Sequence, residues 1–310
     1  MANDQDDGEM VESLVAERGP TVLRIALGSR LRRLREECGV TREEAGECIR
    51  GSHAKISRLE LGRTGFKERD IRDLLSLYHV LDDDQRELYL DMARRANDPG
   101  WWRSYSDLLP NWFETYVGLE QAATTIRTYE AQFVPGLLQT KEYARSVVVL
   151  GNDTETDRRV AVRMRRQQIL RRVAPPTLWA VIDENALRRP VGGIDVLRDQ
   201  IRHLIEVSAF PNVKIQVLPY SAGGHSAAGG PFSILRFPEP ELPDVVYTEQ
   251  LSSALYFEKR RDVELYMSVM NSLAVQAFSP SMSVKFLTAV LADTEPGVGG
   301  PDDRGVPSFG

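Results

Sequence analysis

The sequence predicts a multidomain protein in which an all-α domain is followed by an α+β domain that has an antiparallel sheet flanked by helices. Three observations predict this fold class. Capping residues and apolar positions at helical spacing recur through residues 21–98. From Pro175 the period changes, and short apolar runs bounded by glycine, proline and asparagine indicate strands. The chain of 310 residues is also long enough for two separate cores.

Shifts in composition predict five segments along the chain. Residues 1–20 are acidic and polar and are expected to be a disordered N-terminus, and residues 293–310, rich in glycine and proline, a disordered tail. Between them we predict the all-α domain over residues 21–98, a helical connector or dimerisation region over 99–174, and the α+β domain over 175–292.

Five helices are expected in the first domain. The first helix carries a regular apolar stripe formed by Leu23, Leu27, Leu31, Leu34 and Cys38. Two later helices are expected from Glu68 to Val80 and from Asp82 to Ala96. Asp82 and Gln85 form a capping box at the start of the last one.

The remaining two helices are short and occupy residues 41–60. Thr41 and Glu44 form a capping box that begins the first of them. A turn follows at Arg50, and the hydroxyl of Ser52 can accept a backbone N–H as the N-cap of the second helix. The pattern therefore predicts a helix-turn-helix unit.

The second of these short helices has two different faces. Ile56 and Leu59 fall three residues apart on the inner face. The residues left on exposed or flanking faces are His53, Lys55, Ser57 and Arg58. A helix with an apolar back and a cationic, hydrogen-bonding front is suited to reading base edges in the major groove of double-stranded DNA. The alternative is a basic surface helix in an unrelated all-α domain.

This stretch resembles the five-helix, lambda-repressor-like DNA-binding domain of the xenobiotic-response-element (XRE) family, which is shared with lambdoid phage repressors. The family's closing pattern I-S-R-x-E-x-G corresponds to residues 56–62. The resemblance implies that Arg42 contacts phosphate and that His53, Ala54 and Arg58 read bases.

The complete predicted DNA-binding set is Arg42, Ser52, His53, Ala54, Lys55, Ser57, Arg58 and Arg63. One departure from the family is Arg50, which stands in the turn where many members have glycine. Here Gly51 follows one position later.

The charge distribution agrees with a DNA-binding first domain. The chain has a net charge of −6, but residues 24–69 contain twelve Lys/Arg against seven Asp/Glu, a local net of +5. Because attraction to phosphate is screened over about 10 Å at 0.1 M salt, the local sign matters more than the total.

Composition argues against several other classes. No apolar run approaches the ~20 residues of a membrane helix, and the polar N-terminus does not resemble a signal peptide. We therefore expect a cytoplasmic protein that is nucleoid-associated when bound to DNA. The two cysteines, Cys38 and Cys48, lack the further ligands of a zinc site, so no metal and no cofactor is predicted.

Few features suggest catalysis. They are the adjacent carboxylates Asp183 and Glu184 and the glycine-rich loop around His225, at residues 223–230. The loop lacks the lysine of a phosphate-binding loop, and neighbouring strand residues point to opposite sides. We therefore expect no enzymatic activity. If the second domain has a pocket, we expect it beside this loop and the sheet.

The later part of the chain resembles the C-terminal domain of actinobacterial antitoxin-like regulators, including WhiJ-like developmental regulators. The matching segments are residues 129–140, 181–184, 211–219 and 229–232. The resemblance implies developmental or secondary-metabolism control and a small acidic partner protein.

Together these features predict a sequence-specific DNA-binding transcriptional regulator that binds paired half-sites as a homodimer. The second domain would then be regulatory. Three roles remain open for it, namely binding a small protein, sensing a small-molecule effector, or dimerisation alone.

Overall fold

The structure, a computed structural model, describes residues 20–62, 64–151, 155–238 and 242–294. The disorder expected for residues 1–20 and 293–310 falls almost entirely outside these ranges. Where the two overlap, the expectation is wrong, because Pro20 begins the first helix and Thr294 ends the last one. Proline suits a helix start, where its missing N–H would have no partner in any case.

The N-terminal domain is helical, as predicted. Its helices are α1 (Pro20–Glu37), α2 (Arg42–Cys48), α3 (His53–Glu60), α4 (Glu68–Leu77) and α5 (Asp83–Asn97). They enclose a core whose most deeply buried members include Leu27, Leu31, Ala45, Ile56, Leu59, Ile71, Leu75 and Met92. Among the described residues, no helix has the length and apolarity needed to cross a bilayer.

The predicted helix caps are present. The Thr41 backbone N–H donates to Glu44 Oε2 at 2.8 Å, and the Glu44 N–H donates to Thr41 Oγ1 at 3.2 Å, which completes the capping box of α2. Ser52 Oγ accepts from the Lys55 N–H at the start of α3. At α5 only half of the predicted capping box is present, because Asp82 Oδ1 accepts from the Gln85 N–H at 2.7 Å without the reciprocal bond. These bonds satisfy backbone donors that would otherwise be orphaned at the helix starts.

The C-terminal part combines helices with one mixed sheet. The helices are α6 (Asn111–Ala122), α7 (Lys141–Val149), α8 (Thr156–Arg166), α9 (Glu184–Arg188), α10 (Ile194–Val207), α11 (Arg260–Gln276) and α12 (Pro280–Thr294). The strands are β1 (Thr125–Glu130), β2 (Thr177–Asp183), β3 (Val213–Leu218), β4 (Phe232–Arg236), β5 (Val245–Glu249) and β6 (Ala254–Phe257). In the described residues the strand order is β3-β2-β1-β4-β5-β6.

The expectation of an antiparallel sheet is wrong for half of the strands. β1, β2 and β3 are parallel, with Thr125 opposite Thr177 and Leu178 opposite Val213, whereas β4, β5 and β6 are antiparallel. Helical crossovers through α7 and α8, and then through α9 and α10, return the chain to the same end of the sheet. Such connections produce parallel pairing.

Strand β1 lies inside the region predicted as a helical connector, and for residues 125–130 that interpretation is also wrong. The helical pattern in fact ends at Ala122. β1 is central and buried on both faces, yet it carries Arg127 and Thr128 at buried positions. Polar residues there conceal the apolar run that normally marks a central strand.

The two faces of the sheet pack against different helices. Ile126, Ala180 and Ile215 face a core shared with α6, α10 and α12. Tyr129 and Val181 face the opposite side, where α11 covers them with Val263, Met270 and Leu273. The sheet is therefore the middle layer of three.

Helix α1 belongs to both parts of the molecule. Its Val22 is buried in the C-terminal core together with Tyr116 of α6. At Gly118 of α6, an added Cβ would lie 2.1 Å from Thr21 Oγ1, so only glycine permits this approach. The N-terminal domain is thus docked on α6 through its first helix.

Candidate nucleic-acid interface

Helices α2 and α3 meet at a tight turn. The Gly51 N–H donates to Gly46 O at 2.8 Å, and an added Cβ at Gly46 would lie 3.0 Å from the Ser52 carbonyl carbon. Arg50 adopts φ +52°, in the left-handed region that favours glycine. The structure therefore explains why a glycine would suit this position.

Burial divides α3 as the sequence predicted. Ile56 and Leu59 are buried in the domain core. Ser52, His53, Ala54 and Arg58 are exposed, and Lys55 and Ser57 are partly buried. The exposed face is therefore a row of short or cationic side chains above an apolar back, a surface that fits a groove.

Two of the predicted DNA contacts also take part in ion pairs. Lys55 Nζ lies 2.5 Å from Oδ2 of the buried Asp70 at the start of α4, and Arg42 Nε donates to Glu60 Oε2 at 2.9 Å. The Arg42 side chain is still 40% exposed. Whether either residue contacts DNA stays a prediction, and Arg63 lies outside the described residues.

The orientation of α3 depends on a buried network that sequence reasoning missed. Glu60, whose side chain is 3% exposed, accepts from Arg35 Nε at 2.5 Å and from Arg42 Nε. Arg35 also donates to Val40 O at 2.8 Å. The hydrogen bond to Glu60 raises the pKa of Arg35. This network ties α3 to α1 and α2. It is identified by the burial of Arg35 and Glu60, which no local sequence pattern reveals.

Two exposed arginines on this surface keep their charge unpaired. Within the part of the chain that the structure describes, neither Arg50 nor Arg58 has an ion-pair partner. By contrast, in α1 Arg32 pairs with Glu36 and Arg33 pairs with Glu37, each one turn later. Arg50 was not predicted as a DNA contact. Its exposed position in the turn beside α3 is the signal that could have identified it.

The features weighed for catalysis have structural partners. Asp183 Oδ1 accepts from the Asn185 N–H, and the buried Glu184 accepts from the Tyr220 N–H at 2.9 Å. His225 Nε2 lies 3.2 Å from the Tyr129 hydroxyl. Among the residues with described positions, no group of three or more His, Cys, Asp or Glu could hold a metal ion.

A large cavity on the sheet does not lie beside the glycine-rich loop, where the sequence predicted a pocket. It occupies about 1150 Å³ against β1, β4 and β5, with α6 and α8 as walls. Residues 223–230 of the glycine-rich loop do not line it. His225 contacts Tyr129, which is on the opposite face of the sheet from the cavity residue Thr128. Alternation along β1 thus separates the loop from the cavity.

The arrangement of α1–α5 defines a helix-turn-helix class of protein. Residues 26–88 match a family described as a helix-turn-helix domain, which supports an XRE-like DNA-binding regulator. Residues 113–289, more than half of the chain, match the family described as "Domain of unknown function (DUF5753)". The chain belongs to that family. No curated protein and no solved structure matches it.

Proposed function

We propose that this chain is a sequence-specific transcriptional regulator of the XRE type whose helix α3 enters the major groove. The observation that carries the proposal is the exposed face of α3, where Arg58 is unpaired in the described structure and His53 and Ala54 are exposed beside it. Arginine in this setting can donate two hydrogen bonds to guanine, which identifies a base pair in the major groove.

The surrounding charges support this placement. Arg50 lies at the turn and Arg42 at the start of α2, where each can reach the phosphate backbone and fix the register of α3. Ser52, Lys55 and Ser57 complete the proposed contact surface, and Arg63, outside the described residues, is a further proposed DNA contact.

The proposed active form is a homodimer on two half-sites, separated by one helical turn of about 34 Å or a multiple of it. The aromatic segment that follows α5, residues 101–130, is a poor candidate for the dimer contact, since Trp102 and Tyr116 are buried within the chain itself. Helix α11 is a better candidate, because it exposes Leu265 and Val275. A protein that acts on chromosomal DNA in this way would work in the cytoplasm, at the nucleoid.

The second domain supports two regulatory alternatives. Resemblance to antitoxin-like regulators favours a small acidic protein partner, whereas the cavity on the sheet favours a one-component regulator with a small-molecule effector. An enzymatic role has less support, because neither Asp183 nor His225 lies at this cavity.

The test begins with selection of an operator from random duplex DNA by the full-length chain. Arg58→Ala should weaken binding to that operator by about 1–3 kcal/mol and relax the preference at one base pair. Arg42→Ala should instead weaken binding to all sequences and reduce the salt slope by about one unit. Fluorescence anisotropy over a salt series measures both effects.

A control is Arg202→Ala on α10, which removes an exposed arginine from the C-terminal part of the chain and should leave DNA affinity unchanged. Unchanged operator affinity in Arg58→Ala, with the fold intact by circular dichroism, would rule out the proposed role of α3. Failure to select any sequence would contradict the proposal as a whole.

A further inference from the structure

The cavity on the sheet has an apolar and aromatic lining. Tyr116 of α6 and Tyr247 of β5 are both buried and stack with their ring centroids 4.1 Å apart. Phe113 continues the stack from Tyr116. At the rim, Leu150 and Leu251 are exposed to solvent. A volume of about 1150 Å³ with such walls suits the apolar body of a small organic molecule.

Most charged groups at the cavity already have partners. Glu120 of α6 and Arg166 of α8 form a buried bidentate pair, at 2.7 Å and 2.8 Å. Asp107 at the rim pairs with Arg158. Arg159 also has an interaction partner. The Glu120–Arg166 and Asp107–Arg158 pairs therefore each balance their own charges in the wall of the cavity.

Three charged groups remain, and two of them are carboxylates. Glu130 ends β1 and Glu249 ends β5, each two residues beyond the cavity-lining Thr128 and Tyr247 and on the same face. In the described residues neither carboxylate is within 4.0 Å of a cation, although Glu249 accepts from the Tyr247 hydroxyl. Arg163 donates to Gln139 Oε1 rather than to a carboxylate. Glu130 and Glu249 are thus two carboxylates at one cavity that have no ion-pair partner in the described residues.

The pKa of Glu130 reflects the absence of an ion-pair partner. Burial, followed by the nearby Glu249, raises its pKa to about 8, although Arg163 and Arg166 of α8 act in the opposite direction. Tyr143 of α7 is the further ionisable group that faces it. Near pH 7 Glu130 therefore holds a proton, in a position that an ammonium group could take.

We propose that this cavity binds a small organic monocation, a protonated amine attached to an aromatic or aliphatic body, with its ammonium group between Glu130 and Glu249. Its body would lie against Phe113, Tyr116 and Tyr247, where aromatic faces also favour a cation. The ammonium group would give both carboxylates a cationic partner and displace the proton on Glu130.

Helix α6 connects this cavity to the DNA-binding domain. One side of α6 lines the cavity with Tyr116 and Glu120, and its Gly118 contacts Thr21 of α1. A ligand that shifts α6 would therefore shift the helix on which the DNA-binding domain is built. This regulatory part of the inference rests on the proposed DNA-binding function, whereas ligand binding itself does not.

The test uses three probes with one indole body and different charges: tryptamine, which is cationic, 3-ethylindole, which is neutral, and indole-3-propionate, which is anionic. Isothermal titration calorimetry of the full-length chain, without DNA, should show binding of tryptamine in preference to the other two. Binding near pH 7 should also release protons, which appears as a binding enthalpy that depends on the ionisation enthalpy of the buffer.

Glu130→Gln and Glu249→Gln should each weaken tryptamine binding at pH 8 by about tenfold, and Glu130→Gln should abolish the proton release. Glu249 is exposed, so its variant will keep the fold. Glu142→Gln, at an exposed position of α7, is the matched control and should bind as the parent does.

Preference for indole-3-propionate, equal binding by both glutamine variants and the parent, or no binding of any probe at millimolar concentration would each overturn the proposal. Repeating the operator measurement with saturating tryptamine then tests the regulatory part. If calorimetry shows binding but DNA affinity does not change, the coupling through α6 is wrong and the ligand site stands. If operator selection fails, only the proposed DNA-binding function is lost.

Discussion

The helix-turn-helix region and the C-terminal cavity differ in where unpaired charge is found. Around α3, the charged groups that leave solvent are paired, as in Arg35–Glu60 and Lys55–Asp70, and unpaired Arg58 is exposed. In the cavity, Glu120–Arg166 is paired, but Glu130 is partly buried and has no ion-pair partner in the described structure.

This difference indicates what each region can bind. An exposed cation is hydrated at little cost and can exchange that hydration for phosphate or a base edge. A carboxylate in a cavity loses hydration without compensation. Its charged form is therefore disfavoured unless a cation binds beside it, and otherwise it takes up a proton. We infer that the first region is built to bind an anionic polymer and the second a cationic small molecule.

The largest effect on stability is expected when the Glu120–Arg166 pair in the wall of the cavity is broken. Glu120→Gln leaves Arg166 buried without a counter-charge and should lower the free energy of unfolding by about 3–5 kcal/mol. Glu60→Gln in the N-terminal domain should cost less. The buried Arg35 keeps Glu36 at 3.3 Å as a counter-charge, and Arg42 can reach water. Urea denaturation of the three proteins checks this order.

The double variant Glu120→Gln, Arg166→Gln serves as the control, since it removes both charges and should recover part of the loss. If Glu120→Gln alone is as stable as the parent, the pair is not the element that holds the cavity wall.

An intermediate effect on stability is expected from the titration of Glu130. The pKa of Glu130 is about 8 in the folded chain against 4.5 as its ordinary value, so the folded state holds a proton that the unfolded state releases between these values. The parent should therefore lose about 1–3 kcal/mol of stability as pH rises from 5 to 9, and Glu130→Gln should be spared this loss.

The measurement is urea denaturation of both proteins at each pH, with Glu142→Gln as the control for a glutamate that faces solvent. Parallel stability curves for the parent and Glu130→Gln would show that Glu130 is hydrated like a surface residue. The Glu130 carboxylate would then gain little from a cation in the cavity.

The smallest effect is expected at the turn before α3. Arg50→Gly removes a side chain from a left-handed backbone position and should raise the free energy of unfolding by about 0.5–1 kcal/mol. The same change removes an unpaired cation, so DNA affinity should fall while stability rises. Thermal unfolding together with operator binding separates the two effects, and a loss of stability would contradict the strain at this turn.

Helix starts were the most predictable part of the fold. The bonds at Thr41 with Glu44 and at Ser52 with Lys55 join residues three apart, so the sequence contains both partners within one turn. The sheet was less predictable. The parallel pairing of Thr125 with Thr177 joins residues 52 positions apart, and the polar residues of β1 gave no strand signal.

The candidate sites were likewise predictable from the sequence only in part. The sequence by itself determined that α3 has an apolar back and a cationic front, because helical periodicity sorts Ile56 from Arg58 without reference to the rest of the chain. Only the tertiary structure decided which cations are free for a ligand. It pairs Lys55 with Asp70 and leaves Glu130 without an ion-pair partner among the described residues, since burial and long-range contact arise only when distant segments pack.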